Sequence, residues 1–184
     1  MSPQTAAITA PDASEYAPSY GQYIALVAGD DVVAALERQI AETVALLGGI
    51  TGEQADHRYA PEKWSVKEVV GHLVDTERIF AYRALRIARG DPTPMAGFEQ
   101  DDYVRAGGFG GRTLAGLLEE FAAVRRATLL LFRSFNPEAW TRRGTANQKE
   151  ISVRAVAYVI AGHELHHRKI LQEKYLATAG STNP

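Results

Sequence analysis

Four long stretches of the chain place apolar residues at helical spacing. The first runs from about Asp30 to Leu47, where Val33, Leu36, Ile40, Val44 and Leu47 step by three or four, and Gly48 and Gly49 end it. The second runs from about Ser65 to Arg89 on the stripe Val69, Leu73, Thr76, Phe80, Ala84, Ile87, and Gly90, Asp91 and Pro92 stop it. Its start is the best-marked point in the chain. Ser65 and Glu68 form an S-x-x-E capping box, in which each side chain satisfies a free backbone donor, and Trp64 and Val69 hold the positions of a hydrophobic staple. The third covers about Thr113 to Phe135 through Leu114, Leu117, Phe121, Val124, Thr128 and Phe132, and Asn136-Pro137 closes it. The fourth covers about Ser152 to Leu176, with Ser152 as N-cap and Ile151 and Val156 as staple.

No stretch alternates as a strand does, so the pattern predicts an all-α fold, a four-helix bundle over residues 30–176. Residues 1–29 read as an N-terminal arm, its first part rich in Ala, Pro, Ser and Thr, and 177–184 as a frayed tail. Between the second and third helices, residues 91–111 carry two prolines and five glycines. A linker of that length can run back along a helix of roughly 37 Å, so helices two and three can be parallel. The expected topology is therefore up-down-down-up with a long crossover, and a loop this long usually packs over a functional site.

Composition narrows the function. Of 184 residues, 46% are hydrophobic and 23% charged, as in a globular protein. The net charge of -2 argues against a nucleic-acid binder that works by bulk charge. The absence of cysteine excludes disulfides, a Cys nucleophile and thiolate metal sites. No apolar run approaches the roughly 18–20 residues that span a bilayer, and Met1 to Ala10 lacks the basic and apolar regions of a signal peptide. A cytoplasmic protein without membrane or nucleic-acid partners is the expectation.

The chemistry concentrates in the fourth helix. Its core stripe reads Val153, Val156, Ile160, His163, His167, Ile170, Leu171, so two histidines stand one turn apart on the apolar face, while His166 lies on a different face. The pair reads as half of a metal site or as a hydrogen-bonded polar core. His72 on helix two supplies a third candidate. At a rise of about 1.5 Å per residue, His72 lies about 10 Å from the start of helix two, and His167 and His163 about 13 and 20 Å from the end of helix four. Antiparallel packing of the two helices brings all three to similar heights; parallel packing separates His72 and His167 by about 12 Å. The run His163-Glu164-Leu165-His166-His167 also matches H-E-x-x-H, the zincin pattern with Glu as base, but no histidine follows as a third ligand.

Three segments together resemble the DinB/YfiT-like superfamily: Lys63 to Glu77 (KWSVKEVVGHLVDTE), the loop Gly97 to Asp102 (GFEQDD), and Ala161 to Leu171 (AGHELHHRKIL). The similarity covers roughly residues 30–176 in order and spacing. It implies an up-down-down-up bundle, often dimeric, holding a divalent ion, usually zinc or nickel, on one histidine of helix two and an H-x-x-x-H pair of helix four. Those positions here are His72, His163 and His167. It also implies a thiol-dependent transferase or isomerase that uses a low-molecular-weight thiol such as bacillithiol or mycothiol, or a metal-dependent hydrolase. The expected function is accordingly a thiol transferase acting on a small electrophile. The alternatives are a hydrolase using metal-bound hydroxide and a non-catalytic, metal-stabilised bundle that serves as a stress-related interaction protein.

Candidates for a base or supporting group are Asp75, one turn beyond His72, and Glu164, beside His163; both also read as solvated helix carboxylates. Asp101 and Asp102 lie in the crossover, where Phe98 and Tyr103 can line a pocket or pack the loop down. Arg168 and Lys169 could hold a carboxylate of a thiol cosubstrate, or simply complement the helix dipole. His57 reads as an exposed loop residue.

Overall fold

The capping box at Ser65 forms as its sequence predicts. The Ser65 Oγ accepts from the Glu68 N–H at 3.3 Å, and the Ser65 N–H donates to Glu68 Oε2 at 2.7 Å. The computed structural model describes residues 8–27 and 29–177. Its elements in order are α1 (Gly21–Ala25), α2 (Val32–Leu47), α3 (Gly52–Asp56), α4 (Val66–Ala88), α5 (Gln100–Ala106), α6 (Leu114–Arg133), α7 (Pro137–Thr141), the strands β1 (Arg143–Ala146) and β2 (Lys149–Ser152), and α8 (Val153–Ile170).

The four long helices α2, α4, α6 and α8 match the four periodic stretches. Asp31, Ser65, Thr113 and Ser152 cap their N-termini through side-chain oxygens. Helices α2 and α4 each pack against both α6 and α8, giving the bundle with its crossover between α4 and α6. The fourth helix is α-helical only to Ile170 and finishes in a π-helical turn over Leu171–Leu176.

Two features depart from the sequence reading. The segment before α8 is a β-hairpin, with Arg143 paired to Ser152 and Ala146 to Lys149. Strands of four residues are too short to show alternation, and the turn residues Asn147 and Gln148 take left-handed conformations (φ 50° and 61°) without the glycine that usually marks such a turn. The crossover is also structured. It holds α5 and a 3₁₀ turn at Phe109–Gly111, and Met95 exchanges backbone hydrogen bonds with Thr145 and Asn147 at 2.9 Å.

Of the expected N-terminal arm, residues 1–7 and 28 lie outside the described residues, as do 178–184 of the expected tail. The described part packs onto the bundle. Ile24 and Val27 are buried in the core, and the buried carboxylate of Glu15 pairs with Arg154. Helix α1 lies so close to α8 that a Cβ on Gly162 would meet the Tyr23 backbone, 2.5 Å from its carbonyl carbon. Only glycine fits there.

A polar network runs through the core. Arg125 of α6 is 1% exposed and Glu77 of α4 is 3% exposed. The Arg125 Nε donates to both Glu77 oxygens at 2.9 Å, and its Nη1 donates to Gln39 Oε1 at 2.8 Å and to the Leu36 carbonyl at 3.1 Å. Gln39 in turn donates to the Ala161 carbonyl at 3.0 Å, so one network joins all four long helices. A buried charge demands a counter-charge of this kind.

Candidate metal centre

Helices α4 and α8 bring three imidazoles to one point. His72 Nε2 lies 3.1 Å from His163 Nε2, and His167 Nε2 lies 3.1 Å from the same atom. One nitrogen from each ring falls within 4.8 Å of the others. His72 and His163 are buried and His167 is half-buried. Among the described residues the group contains no fourth His, Asp or Glu donor.

Burial holds all three rings in the neutral form. It pushes His72 down to about 4, opposed by the charge of Asp101, and His167 down to about 3, aided by its neighbours His72 and His166. His163 falls well below its ordinary value for the same reason, again chiefly burial. The Thr76 hydroxyl, 3.3 Å from His72 Nδ1, steadies that ring with Nε2 turned to the cluster.

A ring nitrogen has either one in-plane lone pair or one N–H, so His163 Nε2 can satisfy only one of its two neighbours by hydrogen bonding. A cation accepting all three lone pairs removes that conflict. Nitrogens about 2.0–2.1 Å from a tetrahedral ion stand about 3.3 Å apart, close to the spacing found. The donor set therefore fits a divalent ion.

Two cavities flank the cluster. The first, of about 160 Å³, is walled by His72, His163, Arg83 and the aromatic rings of Tyr20, Tyr23, Phe80 and Phe98. The second, of about 320 Å³, is lined by His167, Trp64, Tyr59, Lys63, Asp101 and Tyr175, and Gln100 borders both. Trp64, identified in the sequence as a staple, also walls the centre, with its ring 4.7 Å from that of His72 and 6.3 Å from that of His167.

The remaining candidates divide. Asp101 lines the second cavity and Phe98 the first. Tyr103 packs on Phe98 at 5.1 Å, Asp102 pairs with Arg105 at 2.7 Å, and His57 is exposed. Asp75 stands 3.7 Å from Arg78, on neither cavity wall. Glu164 is buried, not solvated: the Thr43 hydroxyl of α2 donates to it, and burial raises its pKa. Arg168 reaches Glu42 at 2.5 Å, also toward α2, and Lys169 is exposed beside Glu173. None of these three borders either cavity. His166 sits edge-on to Tyr23, outside the triad.

The sequence reading missed Arg83, Tyr20, Tyr23, Gln100 and Asn147. Arg83 had a signal: it falls one turn after Phe80 on the apolar stripe, where a cation is out of place. Gln100 stood in the GFEQDD segment that carries the resemblance; Tyr20, Tyr23 and Asn147 had no signal, because they arrive from segments remote in the chain.

A family model described as the DinB superfamily matches residues 35–171. No curated protein matches the chain in sequence. Among solved structures, YfiT from Bacillus subtilis, described as a probable metal-dependent hydrolase with an unusual four-helix bundle topology, superposes with a TM-score of 0.74 at 17% identity, over 82% of this chain and 87% of that one. A DinB-like protein from Bacillus subtilis, YjoA, gives a TM-score of 0.59 at 17% identity, over 84% of this chain and 96% of its own. At this identity the likeness establishes the fold. Among the described residues, no helix is long and apolar enough to cross a membrane.

Proposed function

The chain belongs to the DinB superfamily, and from that premise we propose that it is a metal-dependent enzyme, a thiol transferase acting on a small electrophile. The observation that carries this reading is the convergence of three neutral ring nitrogens where two cavities meet. His72, His163 and His167 would hold one divalent ion, and the family resemblance favours zinc or nickel among the metals that imidazoles suit. Such an ion lowers the pKa of a thiol or a water placed on it.

The chain's own residues then do the positioning. Thr76 fixes the His72 ring, and the Trp64 indole shields His72 and His167. Two cavities offer separate places for a thiol cosubstrate and an electrophile, so the chain needs no cysteine of its own. With three protein donors among the described residues, a bound ion would keep an open position, which favours catalysis over a closed structural site.

A second reading, hydrolysis, is favoured by Asp101, which lines the second cavity together with His167 and would serve as the base that takes a proton from water. The solved relative described as a probable metal-dependent hydrolase supports it.

The test is metal content of untagged protein, with His72→Ala and His163→Ala alongside. One divalent ion per chain, lost in both variants, is expected; no ion and no uptake of zinc or nickel overturns the reading. Loaded protein is then assayed for loss of free thiol against a haloaromatic electrophile and for ester hydrolysis. Asp101→Asn should depress only the second activity.

A further inference from the structure

Two arginines lie inside this bundle, and their surroundings differ. Arg125 is matched by a carboxylate, an amide and a carbonyl, as a buried cation requires. Arg83 is 4% exposed, yet among the described residues its contacts are only the Ala96 carbonyl, taken by Nη2 at 2.8 Å, and the Tyr20 hydroxyl. Among the described residues no carboxylate lies within 4.0 Å of it, and burial lowers its pKa. A guanidinium has five N–H donors, so donors are left over. Its planar face rests against Phe80 at 4.9 Å and Phe98 at 5.8 Å, which holds the group in place.

Arg83 lines the first cavity together with His72 and His163. Four aromatic rings, Tyr20, Tyr23, Phe80 and Phe98, share that lining with polar and aliphatic side chains. A buried cation with no counter-ion among the described residues, in a cavity that four aromatic rings share with the histidine cluster, suits an anion carried on a flat apolar body.

We propose that this cavity binds a small organic acid with a planar apolar body, its carboxylate paired to Arg83 and its other end directed at the histidine cluster. This deepens the reading of the site as one that takes a small electrophile, and it rests on that reading for the role of the acid as substrate. The loop carrying Ala96, Gly97 and Phe98 is tied to the Arg83 side chain and to the hairpin turn at Asn147, so the slot is formed before a ligand arrives. A carboxylate accepts two parallel N–H bonds from a guanidinium, which sets orientation as well as affinity.

The test uses benzoate and its neutral counterpart benzamide, titrated into the full chain by NMR, with and without zinc. Benzoate should bind about tenfold or more tightly than benzamide and shift the Arg83 Nε–H together with the Gly97 and Phe98 amides. Arg83→Gln should abolish the difference, and Arg83→Lys should keep part of it. Metal content should stay at the wild-type level in both. Equal binding of the two probes by the wild type, no binding of either, or shifts confined to other surfaces overturns the proposal, and none of these depends on a variant folding. Loss of the metal reading shows separately: zinc is then not retained, while benzoate discrimination persists in the metal-free protein.

Discussion

Gly162→Ala should loosen the N-terminal wall of the site without touching a histidine. In an isolated helix this change stabilises by about 1 kcal/mol, because alanine is the better helix former. Here the added methyl would stand 2.5 Å from the Tyr23 carbonyl carbon and 2.9 Å from its Cα, and its nearest approach is to the carbonyl oxygen. Carbon atoms rest at about 3.5–4.0 Å, so α1 must retreat by about 1 Å. The obstacle is backbone, and no side-chain rotation relieves it. Overpacking of this kind costs about 1–3 kcal/mol, which outweighs the propensity gain. The retreat carries Tyr23 with it, and Tyr23 lies edge-on to His163 at a ring separation of 5.4 Å and walls the first cavity. Urea denaturation of the metal-free protein should show a loss of up to about 2 kcal/mol, and hydrogen exchange should speed up first in α1. Zinc content should remain at one per chain. A variant as stable as wild type or more so, with α1 protection unchanged, would refute the close-approach argument.

Two further outcomes follow from burial. His72 titrates near 4 in the fold against an ordinary 6.5, so the unfolded chain binds more protons between those values. The contribution is complete above about pH 6.5 and is lost as pH falls toward 4, amounting to about 3 kcal/mol. The urea midpoint of metal-free protein should therefore fall over this window, and His72→Gln should flatten the slope; an unchanged slope would count against the burial of that ring. Arg125→Met should cost about 3–5 kcal/mol in the same assay by leaving the Glu77 carboxylate buried without a partner, while adding Glu77→Leu should restore most of it. A loss below about 1 kcal/mol for the single variant would show that the network does not hold a charged pair.

Much of this molecule was readable from local pattern. Helix period and end signals place α2, α4, α6 and α8 to within a residue or two at most ends, because caps and stripes are encoded by neighbours in sequence. The fourth helix was the exception, giving way to a π-helical turn at Leu171. The His163/His167 pair follows from the same period. His72 joined it through register alone, once the long crossover made α4 and α8 antiparallel, and the contact at 3.1 Å agrees.

Faces were harder. Helix α8 is buried on nearly every side from Val153 to Glu164, so burial there does not say which neighbour a residue meets. His163 turns to α4 and Glu164 to α2, though they adjoin in sequence. Arg83 and Arg125 are both buried cations, but Arg125 meets a carboxylate and Arg83 a cavity with aromatic walls.

The amino-acid sequence by itself determined the four helices, their order and the three histidines, since each rests on spacing along one segment or on the length of one linker. The tertiary structure decided what surrounds those histidines. Tyr20 and Tyr23 come from before the first long helix, Phe98 from the crossover and Asn147 from a hairpin too short to announce itself. Periodicity tells a helix which side to bury; only the packed chain determines what it is buried against.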